Sequence, residues 1–306
     1  MYRRQFISSS MLTGLALANP LVPGGVRAGQ TPLFRISLAQ WSLHRSFFGG
    51  EYDPVDFARI ASGKFGIRAI EYVNQFYFDA LSDRLVSELR RRAEGEGVAS
   101  LLVMVDEEGD LGDPDEKQRS QVVANHHRWA DAARDLGCHS IRVNARSAGS
   151  WDEQMQRAAD GLHALAEYCE KLDLDVLVEN HGGLSSNARW LTGVMELADH
   201  GRIGTLPDFG NFVIDKGTGE RYDRYVGTRE LMPFAKAVSA KTYDFDEEGN
   251  ETTIDYPHIM EIVVDAGYSG WVGIEYEGNS LPEDEGIERT RQLLERVRRQ
   301  LDHRAR

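Results

Sequence analysis

Asp175-Val176-Leu177-Val178-Glu179-Asn180-His181-Gly182-Gly183 is the stretch on which the fold turns. Its three consecutive apolar residues suit a parallel strand covered on both faces. Glu179 follows them directly, so a carboxylate stands at the end of a greasy strand. A carboxylate there is costly unless it is paired or bound to a cation. Helical spacing flanks the strand on both sides, over residues 151–172 and 188–199.

The same unit repeats in both directions. Strand-like runs occupy residues 34–41, 69–73, 98–105, 140–144, 203–208, 237–243 and 271–276. Helical patterns fill 54–64, 81–94, 116–136, 256–266 and 283–301, with another helix inside 221–234. About eight β-then-α units in about 270 residues predict a single-domain α/β fold, a (β/α)8 TIM barrel over residues 30–306. No Gly-x-Gly-x-x-Gly follows the first strand and no Walker loop is present, which disfavours the alternative, an open nucleotide-binding sheet.

The chain of 306 residues carries 49 acidic and 35 basic side chains, a net charge of −14. That field repels phosphate backbones, so no nucleic-acid partner is expected. Residues 1–29 read as a twin-arginine export signal. Arg3-Arg4 precede Phe6-Ile7, a weakly apolar core spans 11–22, and Val26-Arg27-Ala28 loosely matches a cleavage site. The expected location is therefore periplasmic, and the apolar run is too short for stable membrane insertion. Cys138 and Cys169 are too few for a disulfide framework and read as buried thiols. His126-His127 reads as helix surface. Residues 106–110 read as a solvated acidic loop, and residues 244–251 as a lid or a solvent-facing loop.

In a TIM barrel the strand ends carry the chemistry. They offer Trp41, Glu71, Asp106, Arg142, Asn144, Glu179, His181, Asp208, Lys241 and Tyr243, then Glu275 and Glu277. Glu275 repeats the arrangement of Glu179 after Val272-Gly273-Ile274, and Asp208 follows Ile203 to Pro207. Three carboxylates converging on one mouth repel one another. A hard divalent cation, magnesium or manganese, resolves that cost. Ion pairs with Lys241 or Arg142 are the alternative.

Six segments resemble the xylose-isomerase-like TIM barrels, the sugar phosphate isomerase/epimerase family. They are Ile36-Ser37-Leu38-Ala39-Gln40-Trp41, Ile70-Glu71-Tyr72-Val73, Val178-Glu179-Asn180-His181-Gly182-Gly183, Pro207-Asp208-Phe209-Gly210-Asn211, Ala240-Lys241-Thr242-Tyr243-Asp244-Phe245 and Gly273-Ile274-Glu275-Tyr276-Glu277-Gly278. The resemblance implies that Glu179, Asp208 and Glu275 hold one divalent metal. Ser239 stands where the family's strand-seven histidine is expected, and Asn211 where many members carry another. His181 is then a candidate nitrogen ligand, or a residue that hydrogen-bonds substrate.

The resemblance also implies a small-molecule sugar or glycoside substrate, with Glu179 and Glu275 as an acid/base pair beside a carbonyl. Isomerisation or epimerisation through an enediolate is the first reading. β-Elimination from a 3-keto-glycoside is the second, and a non-catalytic sugar-binding barrel the third. Lys241 would supply charge to a substrate oxygen or neutralise an acid. Glu71, Asn144 and His181 would bond sugar hydroxyls, and Trp41 and Tyr243 would stack on a sugar face. A homo-oligomer is compatible with all three.

Overall fold

The computed structural model describes residues 32–304, so the export-signal reading and its boundary lie outside the described residues. The apolar runs form strands in chain order: β1 (Arg35–Ala39), β2 (Ala69–Val73), β3 (Ala99–Met104), β4 (Ser140–Asn144), β5 (Asp175–Glu179) and β6 (Ile203–Leu206). A small hairpin of β7 (Val213–Asp215) and β8 (Glu220–Arg221) intervenes before β9 (Val238–Thr242) and β10 (Trp271–Tyr276). The amphipathic segments form α1 (His44–Phe48), α2 (Phe57–Phe65), α3 (Asp83–Glu96), α4 (Glu116–Leu136) and α5 (Trp151–Glu170). They continue as α6 (Ala188–Ala198), α7 (Arg224–Leu231), α8 (Tyr256–Asp265) and α9 (Glu283–Arg304). Side-chain caps start many of them; Ser150 and Glu153 form a reciprocal capping box on α5.

All eight long strands are parallel, in the order β6-β5-β4-β3-β2-β1-β10-β9. The two ends of that order meet. Lys236 N donates to Thr205 O at 3.0 Å and Ser239 N to Pro207 O at 2.9 Å, and Asp208 bridges Ser239. The sheet is thus a nearly closed (β/α)8 barrel, and the open-sheet alternative is excluded.

Two apolar layers hold it together. The larger lies between strands and helices. The smaller fills the barrel interior with Ala39, Val73, Leu102, Met104, Leu177, Leu206 and Ala237. Side chains two apart on a strand share a face. Glu179 therefore follows Leu177 inward, Asp208 follows Leu206, and Ser239 and Lys241 follow Ala237. The interior turns from apolar to charged as it climbs toward the C-terminal mouth.

Several local expectations are corrected. The hairpin β7–β8 and the short α1 were not foreseen, because two to five residues carry no measurable period. His126 is buried rather than on the surface, with Nδ1 2.8 Å from Val122 O. The loop after β3 is not simply solvated: Glu108 is buried and accepts from Trp129 and Arg128. In the loop after β9, Glu251 turns inward and accepts from the backbone of Thr253 and Ile254. Cys138 and Cys169 are buried free thiols. No helix among the described residues is long and apolar enough to cross a membrane.

Candidate active site

β5, β6 and β10 each deliver one carboxylate to the same point. Glu179, Asp208 and Glu275 are all buried and present oxygens within 4.8 Å of one another. Each is held from a different side. Asn211 Nδ2 donates to Glu179 Oε1 at 2.8 Å. Asp208 Oδ1 accepts from the backbone of Gly210 and Asn211, both at 2.8 Å. Ser239 Oγ lies 2.7 Å from Asp208 Oδ2 and 2.6 Å from Glu275 Oε2. The single Ser239 hydroxyl is therefore shared between the two carboxyls. Burial pushes the Asp208 carboxyl up to about 7.

Two buried cations answer the acids. Lys241 Nζ is 3.0 Å from Glu275 Oε1, 3.2 Å from Glu277 Oε2 and 3.6 Å from Asp208 Oδ2. Arg142 spans Asp106 at 2.8 Å and Glu179 at 2.8 Å. Burial alone would raise both Glu275 and Asp106. Lys241 outweighs it and lowers Glu275, while Arg142 holds Asp106 at about 2. At Glu179 burial wins and pushes the carboxyl to about 7. Arg142 Nε and Glu179 Oε2 touch without alignment, which leaves both atoms buried and without a hydrogen bond.

A hydrogen-bonded chain fixes His181. Asp106 Oδ1 accepts from Asn144 Nδ2 at 2.7 Å, which turns Asn144 Oδ1 toward His181 Nδ1 at 2.9 Å. Nδ1 must then carry the hydrogen, and Nε2 offers a lone pair. Burial, reinforced by Arg142, pushes His181 down to about 4, so the ring is neutral. The same chain ties His181 toward β4, and it is not brought into the carboxylate cluster. That corrects the expectation that it completes a metal site.

A chamber of about 150 Å³ opens above the cluster, lined by Trp41, Asp106, Arg142, His181, Glu275 and Glu277 among others. A wider cleft of about 840 Å³ adjoins it and shares Arg146, His181 and Glu277. Trp41 donates to Glu277 Oε1 at 2.5 Å and packs with His44, Phe48 and Phe76. Tyr243 lines the cleft. Gly210 permits this crowding, because a Cβ there would meet the Tyr243 hydroxyl and sit 2.7 Å from Lys241 Cγ. Glu71 sits apart, in the barrel interior, accepting from Ser37 Oγ at 2.6 Å. Lys241 and Asn144 do not line either cavity themselves but contact residues that do, Lys241 through Glu275 and Glu277, and Asn144 through Asp106 and His181.

The carboxylate cluster could hold a metal ion. Three buried carboxylates with one oxygen lacking a hydrogen bond suit a hard cation. Asn180, given no role from the sequence, turns out to organise the site together with Glu277, Ser239 and Asn211. Asn180 links β5 to the loop after β6, donating to Asp208 O and Asn211 O, both at 3.0 Å. Its position directly after Glu179 was the available signal.

Residues 58–297 match the model of a family described as the xylose isomerase-like TIM barrel. Over most of its length the chain is similar to the 3'-dehydrocarminate deglycosidase alpha subunit of a Microbacterium species. They are 21% identical over 319 aligned positions, covering 80% of this chain and 88% of the relative. An inosose dehydratase of Geobacillus kaustophilus is 22% identical over 199 positions, 53% of this chain and 64% of that protein. A stretch of 51 residues is 43% identical to the C-glycoside deglycosidase alpha subunit of Arthrobacter globiformis, but spans only 17% of this chain and 14% of that relative. Among solved structures, a D-tagatose 3-epimerase-like protein superposes with a TM-score of 0.67 at 14% identity, over 89% of this chain and 100% of its own. A xylose isomerase-like TIM barrel protein from Mycobacterium smegmatis, in complex with magnesium, gives 0.65 at 16% identity, over 87% and 97%.

Proposed function

The chain belongs to the xylose isomerase-like TIM barrel family, and from that premise we propose that it is a carbohydrate enzyme that removes a proton beside a sugar carbonyl and then expels the neighbouring substituent. The observation that carries this reading is the pairing of the carboxylate cluster with two adjoining cavities. Glu275 lines the small chamber, and the wide cleft continues from it with room for a leaving group. The deglycosidase and dehydratase relatives support elimination.

On a 3-keto-glycoside the reaction begins at C2, the carbon beside the carbonyl. Glu275, kept ionised by Lys241, takes the proton from C2. The electron pair forms an enediolate across C2 and C3. As the C3 carbonyl re-forms, the C1–C2 double bond appears and the bond from C1 to the aglycone breaks. Glu179, whose carboxyl burial raises to about 7, is able to carry a proton near neutral pH and gives it to the departing group. His181 and Glu277 stand where the chamber meets the cleft, placed to bond a sugar hydroxyl or the aglycone. Trp41 offers its ring to the sugar face.

Glu179, Asp208 and Glu275 would hold magnesium or manganese, with no histidine among them. When bound there, such an ion supplies Lewis-acid polarisation of the carbonyl and charge for the enediolate oxygen. Epimerisation, the first reading from the sequence, becomes the second here, since two carboxylates flanking one carbon can also return the proton to it.

Incubation with free ketoses and with phenyl 3-keto-β-D-glucoside separates the readings. Released phenol supports elimination, and a new ketose epimer supports the second reading. Neither product would overturn the enzyme assignment.

A further inference from the structure

The wide cleft has the opposite sign to the rest of the molecule. Arg146, Lys216, Arg221 and Arg224 line it against only Asp110 and Glu277, in a chain whose net charge is −14. The four cations come from three separate segments: the loop after β4, the β7–β8 hairpin, and the start of α7. None forms an ion pair with an acid among the described residues, although acids outnumber bases in the chain; Arg224 donates only to Phe209 O, at 3.1 Å. Converging cations left unpaired at the wall of a cavity attract an anion and concentrate it there. The cleft is also of the size that encloses a small organic ligand. Arg146 belongs to both cavities, so one molecule could reach from the chamber into the basic wall.

We propose that the cleft binds an anionic substituent, a carboxylate, sulfate or phosphate, carried on the leaving group of the sugar. This rests on the elimination reading above. It narrows the substrate class from glycosides in general to those with an acidic aglycone. The net charge of −14 would repel such a molecule at long range, and the local cations of the cleft would offset that repulsion.

Calorimetric titration with unoxidised glucosides tests binding apart from turnover. The probes are 4-carboxyphenyl, 4-sulfophenyl, 4-phosphonophenyl and the neutral 4-carbamoylphenyl β-D-glucoside. At low salt at least one charged probe should bind about tenfold more tightly than the neutral one, as two or three partly exposed charge contacts allow. The advantage should shrink in 0.5 M NaCl (a concentration of about this order screens beyond a few Å). Which charged probe gains identifies the group. The double variant Lys216→Gln/Arg221→Gln should lose the advantage and keep its affinity for the neutral probe. Equal affinity for all four, or an advantage that survives in the double variant, would overturn the proposal. Benzoate and benzenesulfonate, which carry no sugar, keep the two readings apart. If these bind and no glucoside does, the sugar reading fails while the anion site stands; if nothing binds, the anion site fails.

Discussion

Lys241 is almost wholly buried and surrounded by acids. Burial would lower its pKa, but Asp208, Glu275 and Glu277 outweigh that and raise it, so it stays charged. Removing one partner of such a buried group strands the others. Lys241→Met should therefore lower the melting temperature of metal-free protein by about 5–15 °C, from a loss of about 3–5 kcal/mol. Added manganese should restore much of it and bind about tenfold more tightly than to wild type, because a competing cation is gone. Thermal melts and titration calorimetry read both effects, and an unchanged melt with unchanged manganese affinity would contradict this role. The carboxylates themselves were legible in the sequence, since each follows an apolar run. Lys241 and Arg142 were also named as their possible partners, and both do pair with them, but which acid each cation would meet was not legible. Asp106 meets Arg142, and Lys241 meets Glu275, across neighbouring strands, and that register is decided by the closed sheet.

Period-two and period-3.6 patterning made the elements readable, and residues 116–136, 140–144, 175–179 and 271–276 coincide with observed elements. What patterning cannot show is how one element closes on another. Gly161 of α5 abuts the loop after β3 so tightly that a Cβ would overlap Leu111 O. Gly161→Ala should push that loop, and Asp110 with it, away from the cleft. A loss of about 1–3 kcal/mol is expected, seen as a lower urea midpoint, and an unchanged midpoint would refute the packing account. Inside the barrel, burial pushes Glu71 up to about 7. The folded protein then holds a proton that the unfolded chain releases near pH 4.5, so stability falls as pH rises from about 4.5 through 7. Glu179 and Asp208 act in the same direction. Glu71→Gln keeps an acceptor for Ser37 and removes one titration, so its melting temperature should decline less between pH 5 and pH 8 than that of wild type. Parallel curves would contradict the assignment.

At the scale of the molecule, the barrel brings together side chains nearly a hundred positions apart and sets an acidic chamber beside a basic cleft. Neither arrangement is visible in the overall charge of −14, which hides the local reversal of sign. The whole account depends on a proton leaving the carbon next to a sugar carbonyl. Proton NMR of phenyl 3-keto-β-D-glucoside in D2O follows that hydrogen directly, with the double variant Glu179→Gln/Glu275→Gln as the background. The account predicts that wild type removes the C2 proton signal, either with release of phenol or by exchange for deuterium, at a rate at least about a hundredfold above the double variant. A C2 signal that persists in wild type as it does in the variant would contradict it.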